Sequence, residues 1–184
     1  TSMKYVERSL ADLYRIENLL RNLKSFNMYE STDIESLHVP TFMEKFMALV
    51  SEDFTKKGIE ISTAVDSKAE RVRADPRALQ QILINLITNA SDALQGRKDP
   101  RITIDVSGTA TAGVVRIRVE DNGHGIPDDM LKNLFKPFHT TKEQGTGLGL
   151  VILKKLLARM NGTVEIMSRQ DEGTRVDVFL PAGS

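Results

Sequence analysis

The sequence predicts a two-layer α/β sandwich with a mixed β-sheet and with helices on one face of that sheet. Several short segments alternate apolar and polar residues, as strands with one buried face do. Three longer segments, starting near residues 41, 75 and 150, repeat apolar residues every three or four positions, as amphipathic helices do. Strands grouped with such helices pack as two layers around one core. Arg116, Arg118 and Glu120 alternate with apolar residues and indicate that the second sheet face is polar.

Composition limits the class of protein. The 184 residues are enough for one domain with its own core. The 25 basic and 25 acidic residues balance, which predicts no nucleic-acid partner and no contact with an anionic membrane. No apolar run approaches the roughly 20 residues of a membrane span, and no signal-peptide pattern opens the chain. With no cysteine there is no disulfide, thiol nucleophile or thiolate metal site, which fits a reducing compartment.

The N-terminal segment predicts a separate element. Lys4–Glu30 has one apolar stripe at helical spacing and contains neither proline nor glycine, so it predicts one long helix. The stripe either packs on its own domain or forms half of a helical hairpin or dimer seam. We favour a hairpin or dimer seam, because the residues after it suffice for a complete domain. A polar linker, Ser31–Ser36, follows, and we divide the chain into residues 1–32 and 33–184.

The second segment begins with a short strand, stopped by Pro40, and a helix capped by Thr41. Asp75, followed by proline, caps a helix that runs to Leu94. A further helix covers Leu150–Met160. The predicted strands are Leu37–Val39, Ile59–Val65, Arg71–Ala74, Ile102–Val106, Val114–Glu120, Thr163–Met167 and Thr174–Leu180, with the last four forming two hairpins.

Two glycine clusters flank a polar loop between a strand and a helix. Asp121-x-Gly123-x-Gly125 follows the strand, and Gly145-x-Gly147-x-Gly149 opens the helix. Glycine lets a backbone approach a ligand closely, and a helix N-terminus offers N–H groups to an anion. The pattern predicts a nucleotide with its base near Asp121 and its phosphates near Gly145–Gly149.

Polar side chains lie beside the apolar stripe of the predicted helix Asp75–Leu94. Asn85 and Asn89 stand four residues apart and share a face, which Gln81 and Asp92 extend. A single mid-helix asparagine is typical of a solvated face. Two of them, together with the glycine clusters, favour ligand binding, because an amide oxygen is a suitable ligand for Mg²⁺ that bridges phosphates.

These segments together resemble a known family. Four motifs occur in its order and spacing: Asn85-x-x-x-Asn89-Ala90, Asp121-x-Gly123-x-Gly125-Ile126-Pro127, Phe135-x-Pro137-Phe138-x-Thr140-Thr141-Lys142, and Gly145-Thr146-Gly147-Leu148-Gly149-Leu150. They resemble the N, G1, F and G2 boxes of the sensor histidine kinases of two-component systems. The resemblance covers about Leu37 to Pro181, and it implies that residues 1–32 hold the second helix of the dimerisation and phosphoacceptor hairpin.

The resemblance implies a Bergerat-type ATP-binding fold with ATP and Mg²⁺ as cofactors. Asp121 is expected to accept from the adenine amino group, Gly125 to let the backbone approach the base, and Thr174 to join the adenine–water network. Asn89, with Asn85 beside it, is expected to bind Mg²⁺, and Pro127–Gln144 to form a lid over ATP. The catalytic residues implied by the resemblance are Asn85, Asn89 and Lys142. Lys136 is a second candidate to contact the phosphates, and a solvated surface charge explains it equally well. The other expected ATP contacts are Asp92, Gly123, Ile126, Phe135, Thr140, Thr141, Gly145, Thr146, Gly147, Leu148, Gly149 and Leu150.

The same superfamily contains ATPases that resemble DNA gyrase and heat-shock proteins, whose general base is a glutamate one turn before the Mg²⁺-binding asparagine. Asn85 stands in that place and cannot accept a proton at neutral pH. This favours phosphoryl transfer to a histidine over hydrolysis. An ATP-binding regulatory module without transfer and a clamp-type ATPase remain the alternatives.

The phosphoacceptor histidine of such a kinase is not predicted in this chain. His38 lies in a predicted strand, His124 in the G1 box and His139 in the F box, and none fits the acceptor role. For each histidine a structural role is favoured, and for His139 a contact within the lid is the alternative. The resemblance therefore implies, as partners, the phosphoacceptor hairpin of its own kinase and a response regulator. It also implies a homodimer for the full-length protein and a cytoplasmic location, with a membrane anchor elsewhere in the full-length protein left open.

Overall fold

The computed structural model describes residues 33–136 and 148–184, which form a helical layer packed on a five-stranded sheet. The predicted helix Lys4–Glu30 and residues 137–147 of the predicted lid, with His139, lie outside the described residues. The predicted two-layer α/β architecture is confirmed.

The helices of the described part begin and end close to the predicted positions. Asp75 is fully buried, and its Oδ1 accepts from the backbone N–H groups of Arg77 and Ala78, which caps the second long helix as predicted. The helices are α1 (Val39–Lys56), α2 (Pro76–Ala93), the short α3 (Asp128–Leu131) and α4 (Gly149–Arg159), with a 3-10 turn at Ser67–Ala69.

The sheet is mixed, as predicted. Its strands lie in the order β2-β4-β5-β7-β6; β2 and β4 are parallel and the other neighbours antiparallel. Both predicted hairpins, β4–β5 and β6–β7, are present. The strands are β1 (Glu35–His38), β2 (Glu60–Val65), β3 (Arg71–Ala74), β4 (Arg101–Gly108), β5 (Val114–Asp121), β6 (Thr163–Arg169) and β7 (Gly173–Pro181).

The start of the described region differs from the prediction. Residues 35 and 36, placed in a linker, belong to β1, which pairs with β3 as a separate two-stranded sheet. Val39 is helical, and the N-cap of α1 is His38, not Thr41. His38 Nδ1 accepts from the Thr41 backbone N–H at 3.4 Å, so the imidazole does what a Ser or Asp cap would do. The prediction failed here because histidine is an uncommon cap.

The core lies between the helices and one sheet face. Large side chains of α2 and α4 pack there against alternate residues of β4, β5 and β7, and each contributes about 1.5–3 kcal/mol by leaving water. The fully buried members include Leu79, Ile82, Leu83, Ile102, Ile104, Ile117, Leu153, Leu157 and Leu180. On the opposite face Arg116, Arg118 and Glu120 are partly exposed, as the alternation predicts. None of the helices in the described ranges is long and apolar enough to cross a membrane.

Candidate functional site

A polar row crosses three strands at one end of the sheet. Asp121 ends β5 and is the register partner of Thr174 at the start of β7. Thr174 is in turn the partner of Ser168 near the end of β6. Directly opposed residues of antiparallel strands project to the same face, so the three side chains lie on the face that carries the helices. The row thus joins the G1 box to Thr174, as the resemblance implied, and adds Ser168.

Asp121 is a fixed hydrogen-bond acceptor. Its Oδ1 accepts from the Gly123 backbone N–H at 2.8 Å, and the Thr174 backbone also donates to the carboxylate. Burial raises the pKa of Asp121 above its usual 3.8, these two backbone bonds lower it, and the neighbouring Glu120 raises it. A partly desolvated carboxylate gains more from a donor that a ligand brings than an exposed one does.

Ser168 ties the G1 loop to the sheet. Its Oγ accepts from the Ile126 backbone N–H at 2.8 Å, lies 2.8 Å from Thr174 Oγ1 and donates to the Gly173 carbonyl at 2.9 Å. Ser168 was not among the site residues predicted from the sequence. The available signal was its position on the core-facing side of β6, where a serine interrupts an otherwise apolar set.

His124 holds the G1 loop against α2 and the β6–β7 turn. Its backbone N–H donates to the Ala93 carbonyl at 2.9 Å, and its carbonyl accepts from the Asp171 N–H at 2.7 Å. The ring Nε2 lies 2.8 Å from the Gln95 carbonyl, so Nε2 carries the proton in this contact. Arg97 adds bonds to the carbonyls of Asn122 and Asp171, at 3.0 and 2.9 Å. His124 and His38 thus have structural roles.

Glycines in this region allow backbone segments to meet. Gly125 has φ +68°, and a Cβ there would lie 1.9 Å from the Arg169 carbonyl oxygen. Gly173 has φ +123°, and its Cβ would lie 2.0 Å from the Asp121 carbonyl oxygen. Only glycine fits both the dihedral angle and the space. The glycine cluster predicted a close approach to a ligand, and the structure provides a second reason for it, the packing of one loop on another.

The asparagine pair lies on the site-facing side of α2. Gln81 Nε2 donates to Asn85 Oδ1 at 2.8 Å, and Asn85 Nδ2 donates to the Gly149 carbonyl at 3.4 Å. Asn85 therefore links α2 to the first turn of α4. Asn89, one turn further, is partly buried. Asp92 is exposed and lines a cavity of about 370 Å³ that includes none of the other predicted site residues.

The N-terminus of α4 faces the Asn85 side of α2. Among the residues that the structure describes, its N-cap residue Leu148 makes no side-chain cap hydrogen bond, and a Cβ on Gly149 would have no atom within 4 Å. Leu150 in the first turn is partly buried. The positive end of the helix dipole lies at this position, where it would favour an anion.

The predicted lid begins with α3. Phe135 is partly buried, and Lys154 Nζ of α4 lies 5.2 Å from its ring centroid, a cation–π contact. Lys136 is exposed. The other F- and G2-box residues predicted to contact ATP, Thr140, Thr141, Lys142, Gly145, Thr146 and Gly147, lie outside the described residues.

The candidate metal ligands predicted from the sequence, Asn85 and Asn89, are amides. Across residues 33–136 and 148–184 no group of three or more His, Asp or Glu side chains could hold an ion. Asn85 Oδ1 accepts from Gln81, so one of its lone pairs is already used. One amide oxygen with nucleotide oxygens and waters is a donor set that suits Mg²⁺.

Comparison with known proteins identifies the class. The family model for histidine kinase-, DNA gyrase B- and HSP90-like ATPases matches residues 74–184, and the chain belongs to that family. The sensor histidine kinase ZraS of Escherichia coli O157:H7 is 32% identical over 148 residues, which cover 80% of this chain and 31% of ZraS. The chain therefore spans about a third of the length of this relative.

Solved structures agree with this assignment. The nucleotide-free catalytic domain of the histidine kinase ThkA matches with a TM-score of 0.71 and 29% identity, covering 82% of this chain and 97% of that domain. Full-length ShkA in complex with AMPPNP matches with a TM-score of 0.78 and 25% identity, covering 98% of this chain and 38% of ShkA. The resemblance to histidine kinase catalytic domains and the ATP-binding fold that it implied are confirmed.

Proposed function

We propose that this chain is the catalytic part of a sensor histidine kinase and transfers the γ-phosphoryl group of ATP to a histidine on a dimerisation hairpin. The main observation behind the proposal is that one helix, α2, makes hydrogen bonds to both ends of the site, the loop after Asp121 and the N-terminus of α4. Asn85 bonds to the N-terminus of α4, and Ala93 on the same helix bonds to the loop after Asp121. One helix therefore sets the distance between a base acceptor and an anion-binding helix end.

The adenine end is formed by the polar row. Asp121 accepts from the adenine amino group, and Thr174 extends the acceptor surface. Gly123, Gly125 and Ile126 form the loop beside them. That loop is fixed to β6 by the bond from the Ile126 N–H to the Ser168 hydroxyl, and to α2 by a backbone bond to Ala93. A site that is already ordered avoids the entropy cost of closing a flexible loop on the base.

The phosphate end is formed by α2, α4 and the lid. N–H groups from Leu148 to Leu150 face the phosphates, and Asn89 holds Mg²⁺ with Asn85 beside it. When bound, Mg²⁺ neutralises the charge that develops on the transferring phosphoryl group. Lys142 meets the phosphates from the lid, with Phe135, Thr140, Thr141, Gly145, Thr146 and Gly147 around it. Lys136 is the alternative lysine, and Asp92 contributes at the edge of the metal site.

Asn85 favours transfer over hydrolysis. A water needs a base to attack efficiently, and an amide cannot take a proton at neutral pH. In the structure the Asn85 oxygen accepts from Gln81 and its nitrogen donates to Gly149, so the side chain acts as a structural link. The nucleophile is then the imidazole of an incoming histidine, whose neutral ring nitrogen has a lone pair and needs no general base on this chain before it attacks.

The acceptor and the later partner complete the proposal. Residues 1–32 form the second hairpin helix and a linker, and residues 33–184 form the catalytic domain. The likeness to ShkA supports this division because it covers 98% of this chain and so extends into the N-terminal segment. The full-length kinase is a homodimer, and its catalytic part works in the cytoplasm whether or not another segment anchors the protein to a membrane. The phosphohistidine then passes its phosphoryl group to an aspartate of a response regulator.

Transfer from γ-labelled ATP in the presence of Mg²⁺ tests the proposal. The chain is incubated with a separately made hairpin from the same kinase, and a hairpin with the candidate histidine replaced by glutamine is the matched control. We expect acid-labile, base-stable label on the first hairpin and none on the second. Absence of label on both, with ATP bound, would contradict a kinase and favour a regulatory module. Steady phosphate release by the chain alone would favour an ATPase.

A further inference from the structure

One buried carboxylate holds the point at which the N-terminal segment joins the described fold. Asp75 is fully buried, and both of its oxygens accept hydrogen bonds. Oδ1 accepts from the Arg77 and Ala78 backbone N–H groups, at 2.9 and 3.2 Å, and so caps α2. Oδ2 accepts from the Asp33 backbone N–H at 2.9 Å, across 42 positions of the chain. The Asp75 side chain therefore connects the first described residue to the start of α2.

The second oxygen of Asp75 is not needed for the helix cap. A cap requires one acceptor atom, which Ser, Thr or Asn also provides. An ionised aspartate has two acceptor oxygens and no donor. Oδ2 also lies 3.8 Å from the Arg77 guanidinium, which adds a cation beside the carboxylate. The feature of aspartate that a simple cap would leave unused is thus the one that binds Asp33.

The bond to Asp75 continues the pairing of β1 with β3 beyond its last pair. That pairing ends with Glu35 opposite Ala74. Pro76 then begins α2, and proline has no N–H with which a strand could be extended. The Asp75 side chain provides an acceptor where the partner strand has become a helix. Ile34 lies between the ladder and this bond and packs against the core. The chain is therefore fixed from two residues before β1.

Asp75 also contacts the second helix of the proposed phosphate end. Its backbone N–H donates to Met160 Sδ at 3.3 Å, and Met160 is buried at the C-terminal end of α4. The other end of α4 begins at Gly149, and α2 contains Asn85 and Asn89. One residue thus joins the entry point of the chain to both helices that carry this part of the site.

We infer that Asp75 is a positioning residue for phosphoryl transfer, because it fixes the point at which the N-terminal segment leaves the nucleotide-binding helix. The inference rests on the proposed function, in which residues 1–32 contain the second hairpin helix. Loss of the bond to Asp33 leaves the helix cap and the ATP site in place but lets the entry point move. The attached hairpin then presents its histidine in the correct geometry less often, and small displacements of reacting groups slow a transfer strongly.

Asp75→Asn separates the two functions of the carboxylate. The amide oxygen can still accept from Arg77 and Ala78, whereas the amide nitrogen cannot accept from Asp33. In the kinase with its complete hairpin, the rate of histidine phosphorylation at saturating Mg-ATP should fall about tenfold, from the magnitude of one hydrogen bond to a charged group. The dissociation constant of ATP should not change. Transfer by the 184-residue chain to a separately made hairpin should not change either, because that hairpin is not attached at residue 33.

A second variant removes the donor and leaves the α2 cap intact. Asp33→Pro has no backbone N–H and should slow transfer to the attached hairpin as Asp75→Asn does. Asp33→Ala keeps the N–H and should transfer at the unsubstituted rate. Asp66→Asn is the matched control for Asp75→Asn, because Asp66 caps the 3-10 turn through one oxygen, which accepts from the Lys68 N–H at 3.0 Å. It should leave both kinds of transfer unchanged.

Three results would overturn the inference. An unchanged rate of attached transfer in Asp75→Asn and Asp33→Pro would mean that the bond fixes nothing that transfer needs. An equal fall in attached and separate transfer, or weaker ATP binding, would mean that Asp75 only caps α2. These results leave the proposed function intact, because the unsubstituted kinase still transfers. If the unsubstituted kinase transferred to neither hairpin, both the proposed function and the inference would fail.

Discussion

Asp121 and Thr174 stand opposite each other on adjacent antiparallel strands, and the Thr174 backbone donates a hydrogen bond to the Asp121 carboxylate. The Gly123 N–H binds the same carboxylate from the other side, at 2.8 Å. Two backbone donors, one from the sheet and one from the G1 loop, therefore hold this acceptor in place. These two hydrogen bonds lower the pKa of Asp121, but burial raises it by more. The carboxylate is therefore both fixed in position and partly desolvated.

The raised pKa of Asp121 predicts the pH dependence of ATP binding. Its folded-state pKa lies above 3.8, so the acceptor is present above that higher value and is lost as pH falls through it. ATP affinity should therefore decline on acidification earlier than a pKa of 3.8 would produce. We would measure the ratio of ATP affinities of the unsubstituted chain and Asp121→Asn across pH, because titration of the ligand cancels in the ratio. A ratio that stays flat until pH 3.8 would contradict this assignment.

The linkage of Asp121 to folding has the opposite sign. A raised carboxyl pKa means that the ionised form costs stability in the folded state above that pKa, and the cost disappears as the group is protonated. Without nucleotide, protonation of Asp121 at acid pH therefore removes its unfavourable contribution to the free energy of unfolding, while the same protonation weakens ATP binding. The residue is kept charged for binding and not for stability.

Gln81 should affect the phosphate end of the site alone. Gln81→Leu removes the donor that orients the Asn85 amide toward Gly149, so the first turn of α4 is less firmly held. We expect ATP affinity to fall about fivefold, the effect of one hydrogen bond, and adenosine affinity to stay unchanged. Gln80→Leu is the matched control, because Gln80 is exposed on the same helix. Equal effects of the two substitutions, or equal loss of adenosine binding, would rule out the orienting role of Gln81.

Gly125 should tolerate no side chain. Alanine there would combine a positive φ with a Cβ placed 1.9 Å from the Arg169 carbonyl oxygen. We expect Gly125→Ala to lower the free energy of unfolding by about 3 kcal/mol, more than the roughly 1–2 kcal/mol of the dihedral angle alone. Gly58→Ala is the control, because Gly58 has φ +70° and nothing within 4 Å. Denaturant unfolding that gave the same loss for both variants would show that the loop moves to accommodate the methyl group.

Much of the fold follows from patterns that are local in the sequence. The Asp75-Pro76 start of α2, the alternation in β5 and the β6–β7 hairpin each have their own signal, and the structure confirms all three. The pairing of β1 with β3 was not predicted, because contacts such as that of Glu35 with Ala74, far apart in the chain, leave no local pattern. The cap by His38 was missed because it depends on a ring orientation that only the fold fixes.

The site could be predicted where glycines and asparagines form spaced motifs. Asp121 and Thr174 were assigned by resemblance, and their register is now known. Ser168 and Arg97 were missed because single residues with long-range hydrogen bonds carry no spacing signal. The predicted contacts of Thr140, Thr141 and Lys142 stay predictions.

The polar sheet face contains one ion pair that should matter for stability. Arg118 Nε and the second terminal nitrogen lie 2.6 and 2.8 Å from the two Asp177 oxygens, and Asp177 is only 4% exposed. The Asp177 carboxylate raises the pKa of Arg118. Asp177→Ala leaves the partly exposed Arg118 guanidinium without its two hydrogen bonds to Asp177 and should cost about 2 kcal/mol of unfolding free energy.

An exposed pair provides the control for Asp177. Glu52 and Lys56 also form an ion pair, at 2.7 Å, but both side chains are mostly exposed. Glu52→Ala should therefore change the free energy of unfolding by less than about 0.5 kcal/mol. The double variant Arg118→Met with Asp177→Leu should recover much of the loss from Asp177→Ala. A loss as small as that of Glu52→Ala would mean that water reaches the Arg118–Asp177 pair.

The placement of adenine at Asp121 can be tested by calorimetry of ATP binding, at neutral pH with Mg²⁺, to the unsubstituted chain and to Asp121→Asn. We expect Asp121→Asn to raise the dissociation constant at least about tenfold, because a hydrogen bond to a charged acceptor is lost. The folded state should remain intact, since an asparagine oxygen can still accept from Gly123. An unchanged dissociation constant in a folded variant would contradict the placement of adenine at Asp121.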